Sequence, residues 1–460
     1  MLKERGMRGG VLGCVLAALV AGCAGNPAPS QPGSATHASP SSAPRAPAKP
    51  WLNMPDTATG SIPALLSQTG AFTNLRQLEP AGTLLPYDLV LAFWSDGAAK
   101  TRFVALPDAK VGFSPTGEWT FPPGTVFVKT FELPTDTKQP DVKRRLETRL
   151  LVVDRTGGVY GVTYKWRDDL SDADLVAPEG LHQDVTIHDA NGTRLQSWYY
   201  PSREDCLVCH NSHTRGPLGP KTRQMNRDLR YPDGVTENQL HRWNRLGLFE
   251  TAPNESDLAT LPTLARSDDT TRSVEDRARS WLDANCGHCH RPGGTVANFD
   301  ARYETPLAQQ HLIDGPVLID ENVDRARVIS PHDPWRSVAL MRVNTNGEIR
   351  MPPLARNTID TQGVTVLRNW IESLPGRDVL PPPRIAPAGG SFEHPVTVTL
   401  ASGEPGAEIR YTLDGSVPGP SDARYEKPLR IDGPTTLRAR AYKEGLTRSV
   451  IAQQTYLVGQ

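Results

Sequence analysis

Between Thr57 and Tyr200, short apolar runs and strict apolar-polar alternation are closed off by turn residues, the pattern of strands. Thr125-Val-Phe-Val-Lys-Thr-Phe131 predicts one strand. Thr148-Arg-Leu-Leu-Val-Val153, the turn Asp154-Arg-Thr-Gly-Gly158 and Val159-Tyr-Gly-Val-Thr-Tyr164 predict a hairpin whose turn glycines supply positive φ. The expectation is a mostly antiparallel sandwich, with Trp94, Trp119, Trp166 and Trp198 as core and rim packing. The period then changes. Thr236-x-x-Gln239 reads as a capping box before Leu240, Trp243 and Leu246, and Gly247 closes that short helix. Ser273-x-x-Asp276 opens a second helix, with Val274, Ala278, Trp281 and Leu282 on one face. Thr358 or Asp360 caps a third, whose apolar face is Val364, Leu367, Ile371 and Leu374. Sharp alternation returns after a proline-rich seam at 375–387, in Val396-Thr-Val-Thr-Leu400, the run 409–416 and the run 436–442.

Length adds domain number to this picture, since 460 residues exceed one ordinary core. The boundaries predicted are a leader at 1–22, a Pro/Ala/Ser-rich tether at 23–56, a β-rich domain at 57–255, a helical unit at 265–376, a linker at 377–386 and a β module at 387–460. The leader has Lys3, Arg5 and Arg8, an apolar run at 11–20 and small residues before Cys23, which describes an export signal too short to span a bilayer. The tether lacks the large apolar residues needed to fold. Forty-two prolines and 39 glycines with 38% hydrophobic residues describe loop-rich β modules, not a helical bundle. Fifty basic against 51 acidic residues give a charge of -1, so nothing global points to nucleic acid.

Cysteine placement carries the chemistry. Of six cysteines, four fall in Cys206-Leu-Val-Cys209-His210 and Cys286-Gly-His-Cys289-His290. C-x-x-C-H is the c-type haem attachment pattern: two thiols three apart form thioethers to the two vinyl groups of one porphyrin edge, and the following histidine becomes the proximal iron ligand. Two covalently attached haem c groups are therefore expected, on Cys206, Cys209 and His210 and on Cys286, Cys289 and His290. Zinc is the competing reading, because C-x-x-C pairs also build zinc sites. His288 is then a spacer. For the sixth ligand of the first haem, Met225 is preferred over His182, His188 and His241, and an open position is the further alternative. Met351, in Arg350-Met-Pro-Pro-Leu354, competes with Met341 for the second. No catalytic nucleophile, flavin or nucleotide fingerprint accompanies the motifs.

Several runs resemble known families. Val20-Ala-Gly-Cys23 resembles the lipobox of bacterial lipoproteins, which implies lipidation at Cys23, a membrane contact through that lipid and, with Ala24 next, the outer membrane. The order helix, C-x-x-C-H, irregular loop, Met-Pro, helix resembles a class I cytochrome c domain, which implies helices crossing beside the haem and Met351 as sixth ligand. The span 57–374 resembles a family of exported di-haem proteins. The last seventy-odd residues, with Tyr411-Thr-Leu-Asp-Gly415, resemble the C-terminal module of chitobiases and β-hexosaminidases. The fold expected is thus multidomain: a β-rich N-terminal domain with a haem motif at its C-terminal edge, a mainly α cytochrome c-like domain, and a C-terminal Ig-like β-sandwich. The function expected is a lipid-anchored electron carrier between redox partner proteins of the cell envelope. The alternatives are a di-haem peroxidase-like enzyme, with the first haem as its catalytic or ligand-binding iron, a redox subunit of a dehydrogenase, and a surface protein docking glycan or protein through its C-terminal module.

Overall fold

The computed structural model describes residues 51–214, 216–295, 298–354 and 356–459. The leader, Cys23 and residues 24–50 of the tether lie outside the described residues. The described chain opens with a small hairpin, β1 (Phe72–Asn74) and β2 (Glu79–Pro80). A six-stranded antiparallel sheet follows, in chain order: β3 (Leu84–Pro86), β4 (Ala99–Ala105), β5 (Val126–Pro134), β6 (Lys143–Val153), β7 (Val159–Trp166) and β8 (Ala173–Leu175). The β6–β7 pair is the hairpin expected from its alternation, and Gly157 takes φ +84° in the turn.

The second layer is not a sheet, which corrects the expected sandwich. One face of β4–β7 carries Phe103, Val126, Val128, Leu150, Val152 and Val162, and the irregular chain around Met54, Leu66 and Phe72 covers it. β9 (Leu181–Asp189) and β10 (Gly192–Tyr200) form a separate ribbon whose Val185, Ile187 and Trp198 pack with Phe131 and Leu146. Short helices follow: α1 (Arg203–Cys209), α2 (Thr222–Met225), α3 (Gln239–Arg245) and α4 (Glu255–Leu258). A two-strand ladder, β11 (Asp228–Arg230) with β12 (Thr236–Asn238), precedes α3. Thr236 is therefore in a strand, and Asn238 caps α3, its side chain accepting from the Leu240 N–H.

The mainly α cytochrome c-like domain is not what the chain builds. The described residues of 265–376 hold three α-helices, of 12, 6 and 13 residues, α5 (Val274–Asn285), α6 (Val338–Val343) and α7 (Thr361–Ser373), and a single 3-10 turn at Leu307–Gln309. Most of the remainder is irregular chain, and the described protein as a whole is mostly β. The cause is in the sequence between the helices, where Pro292-Gly-Gly294, Pro306, Gly315-Pro316, Pro331 and Pro334 interrupt any helical ladder. The two expected caps do form: Ser273 Oγ accepts from the Asp276 N–H and Asp360 Oδ1 from the Gly363 N–H. α5 and α7 meet at Gly363, where the Trp281 indole donates to Asp360 Oδ2 at 2.7 Å.

This segment does not stand apart from the sheet domain. The Trp94 N–H donates to Asn285 Oδ1 (2.8 Å), Lys221 pairs with Asp283 (2.8 Å), and Arg291 pairs with Glu118 (2.7 Å). All described residues fall in one compact unit.

The C-terminal strands are β13 (Arg384–Ala386), β14 (Gly390–Phe392), β15 (Val396–Ala401), β16 (Glu408–Thr412), β17 (Ala423–Arg424), β18 (Leu429–Ile431), β19 (Thr435–Tyr442) and β20 (Ala452–Val458). They form sheets ordered β13-β15-β18 and β14-β20-β19-β16-β17, which share a core of Val398, Ile409, Ile431, Leu437 and Tyr456.

Candidate functional site

The first C-x-x-C-H motif is held by a cap that the strand before it delivers. Ser202 Oγ accepts from the Asp205 N–H (3.0 Å), and Asp205 Oδ2 accepts from the Ser202 N–H (2.8 Å) and from the Tyr199 hydroxyl (2.5 Å). This capping box starts α1 directly after β10 and sets Cys206 and Cys209 at i and i+3 on it. α1 lies against β7 at Gly161, where a Cβ would stand 2.6 Å from Cys206 Sγ and 2.8 Å from its Cβ. Gly161→Ala is expected to destabilise the fold by about 1–3 kcal/mol through overpacking, read as a lower urea midpoint. An unchanged midpoint would show that α1 has room to retreat.

The second motif begins where α5 ends, and Cys286 is its C-cap. Both motifs make the same turn: the His210 N–H donates to Cys206 O and the His290 N–H to Cys286 O, each at 2.8 Å.

The two motifs, eighty residues apart in sequence, open onto one cavity of about 500 Å³. Cys206, Cys209, His210, Cys286, Cys289, His290 and Met351 all line it. The ligand atoms of Cys209, His288 and Cys289 lie within 4.8 Å of one another. The closeness of the two sulfurs holds the Cys209 thiol up and brings the Cys289 thiol down. The ion pairs and hydrogen bonds that sew residues 283–291 to the sheet domain explain this meeting of the motifs.

The imidazoles suit ligation. Burial lowers His210 and His290 to about 4 each, so both rings are neutral, as a metal-bound histidine must be. His210 Nδ1 donates to Gly216 O at 2.8 Å, which leaves the lone pair on Nε2. His290 stacks on Phe299 at 4.3 Å, and its Nδ1 is buried without a hydrogen-bond partner. Met351 is fixed through its backbone: its N–H donates to Arg342 O (3.0 Å) and its carbonyl accepts from Arg356 Nη1 (2.6 Å). Much of the lining is apolar, and Val208, Leu318 and Ile319 are 50%, 58% and 61% exposed, an apolar surface that a large flat ligand would cover.

The other expected ligands lie elsewhere. Met225 is fully buried in a core with Trp119, Leu240, Trp243 and Phe249. His182 stacks on Tyr199, His188 bonds Thr193, and His241 pairs with Glu255. Met341 lies on α6 and is not among the residues lining the cavity. His288, expected to be a spacer, does line it, with its ring edge-on to Phe93 at 5.4 Å.

One face of the sheet forms the cavity's remaining wall, and sequence reasoning missed it. Phe127, Lys129 and Phe131 of β5 point there with Arg149 and Leu151 of β6 and Gly161 of β7. The signal available was a basic residue in each of two neighbouring strands, Lys129 between Phe127 and Phe131 and Arg149 before Leu151, at alternate positions on one face.

The C-terminal unit is a two-sheet module. Residues 387–453 match the family described as Chitobiase/beta-hexosaminidase C-terminal domain. No curated protein and no solved structure matches the chain.

Proposed function

We propose that the chain is an exported di-haem c-type cytochrome that moves electrons one at a time between redox partner proteins of the cell envelope. The observation carrying this reading is that both C-x-x-C-H motifs and Met351 line a single cavity. The residues fit two haem c groups: Cys206 and Cys209 would hold one with His210 on its iron, and Cys286 and Cys289 the other with His290. Each haem, when bound, supplies a one-electron iron couple.

The chain's own part is to exclude water and to fix the ligands. Leu91, Leu282, Phe299 and Val343 keep the site dry, the Gly216 carbonyl orients the His210 ring, and Arg356 holds the Met351 backbone. Cys23 would anchor the chain by its lipid to the outer membrane, and the module at 387–453 offers a surface for a glycan or protein partner.

Met351→Ala is expected to lower the potential of one haem or turn it high-spin while haem content stays at two per chain, because thioether ligation fills the sixth position and raises the potential. Optical and EPR spectra that match the parent protein would remove Met351 as a ligand.

Two further readings have an observation each. The burial of Met225 in a tryptophan core favours an open sixth position on the first haem, hence the peroxidase-like enzyme. Peroxide turnover with a high-spin first haem decides for it. The Cys209, His288 and Cys289 cluster favours zinc, and stoichiometric zinc without iron in the purified exported protein decides for that.

A further inference from the structure

The cavity wall built by the sheet contains an arrangement that a protein does not keep without a counter-charge. In the register of β4, β5 and β6, Arg102 stands directly opposite Lys129, and Lys129 directly opposite Arg149. Three cations thus lie side by side across three strands, where like charges in opposed positions destabilise the pairing. Lys100 sits in the next row on the same face, opposite Phe131. The ammonium groups of Lys100 and Lys129 lie 5.7 and 5.1 Å from the Phe131 ring, and the Arg149 guanidinium 4.5 Å from it. All four basic residues line the cavity.

Their carboxylate partners cover only half of them. Arg102 pairs with Asp88 at 2.5 Å, which also takes Arg227, and Arg149 pairs with the fully buried Glu147 at 2.5 Å. Among the described residues, neither Lys100 nor Lys129 has a carboxylate at ion-pair distance; Lys100 donates to the Ala98 carbonyl. Burial, with Arg149 and Arg102 close by, brings Lys129 down to about 7 and Lys100 well below its ordinary value, the mark of positive charge without compensation. A buried ammonium is costly unless paired.

We infer that Lys129 and Lys100, framed by Arg102 and Arg149, form an anion-binding wall for the two propionate carboxylates of the haem attached at Cys206 and Cys209. The inference rests on the di-haem reading and goes beyond it by assigning the wall to one haem and not the other. Cys206 packs on Gly161 of β7, whose cross-strand partner Leu151 shares its face of β6 with Arg149, whereas Arg342, whose carbonyl holds the Met351 N–H, already has Glu321 at 2.6 Å. Two basic side chains without carboxylate partners meet a group with two carboxylates. The wall would also tune that haem, since positive charge beside it favours the reduced iron.

The test uses the exported full-length holoprotein, its haem count per chain and a potentiometric titration. Lys129→Met and Lys100→Met are each expected to keep two haems and to shift one haem toward the oxidised state, roughly tenfold in its reduction equilibrium, which is 59 mV for one electron. The other haem stays where it was, and Lys129→Arg restores the parent value. Loss of the first haem alone in Lys129→Met, with both retained in Lys129→Arg, supports the wall equally. Two haems with both potentials unmoved in Lys129→Met and Lys100→Met overturn the inference while leaving the di-haem reading intact. A parent protein that carries no haem overturns the reading and the wall together.

Discussion

Cys206→Ser/Cys209→Ser is expected to leave one covalent haem per chain in place of two, and Cys286→Ser/Cys289→Ser to do the same for the other motif. A hydroxyl forms no thioether to a vinyl group, so mass spectrometry of the denatured chain reads each loss directly. Because both motifs line one cavity, the effects will not be independent. The sulfurs of Cys209 and Cys289 lie within 4.8 Å of each other, and residues in contact couple by about 0.5–3 kcal/mol in double-mutant cycles. The surviving haem should therefore change its potential, and the unfolding cost of losing both haems should differ from the sum of the two single losses. Additive costs and an unperturbed surviving haem would mean two separate sites. A full complement of zinc in the parent protein, with no haem lost in either variant, would decide for the metal cluster at Cys209, His288 and Cys289.

The two C-x-x-C-H motifs were visible at once, because each is written in contiguous residues. So were the caps at Ser273 and Asp360 and the hairpin at 148–164, which depend on neighbours a few positions away. What the sequence concealed was long-range. The meeting of the motifs depends on pairs such as Lys221 with Asp283 and Arg291 with Glu118, between residues far apart in the chain. The cationic wall was concealed by the local reading: Lys129 beside Thr130 and Arg149 beside Thr148 read as the polar, solvent side of their strands. Here that side faces a cavity. The resemblance to a class I cytochrome c domain around Met351 implied a mainly α unit that the prolines and glycines at 292–334 do not permit. Met225 failed as a ligand candidate for a simpler reason: nearness in sequence to His210 did not outweigh an apolar core ready to bury it.

Asp96→Ala is expected to cost about 3–5 kcal/mol, since each buried donor left without an acceptor costs roughly 1–3 kcal/mol. Asp96 is only 6% exposed, and its Oδ1 accepts from the Asn357 and Thr358 N–H groups, each at 2.7 Å, and from the Thr358 hydroxyl at 3.1 Å. Its Oδ2 takes the Asn357 side-chain amide at 3.2 Å. The backbone adds to the loss, for Asp96 has φ +54°, a region that aspartate and asparagine tolerate better than alanine. Such a sum is a large part of the 5–15 kcal/mol that holds an ordinary domain together. Asp96→Asn keeps one carbonyl oxygen for the two backbone donors and should cost less than half as much. Urea unfolding followed by tryptophan fluorescence measures both, with Trp94 two residues away as a local reporter. The functional consequence follows from where the clamp points. Asn357 and Thr358 come directly after Arg356, whose guanidinium holds the Met351 carbonyl. Freed from Asp96, that loop should let Met351 leave the cavity before the protein unfolds, so that a high-spin haem signal grows at urea concentrations where fluorescence is still native. A variant that loses less than about 1 kcal/mol, or in which spin state and fluorescence change together, would show that Asp96 does not govern the Met351 loop.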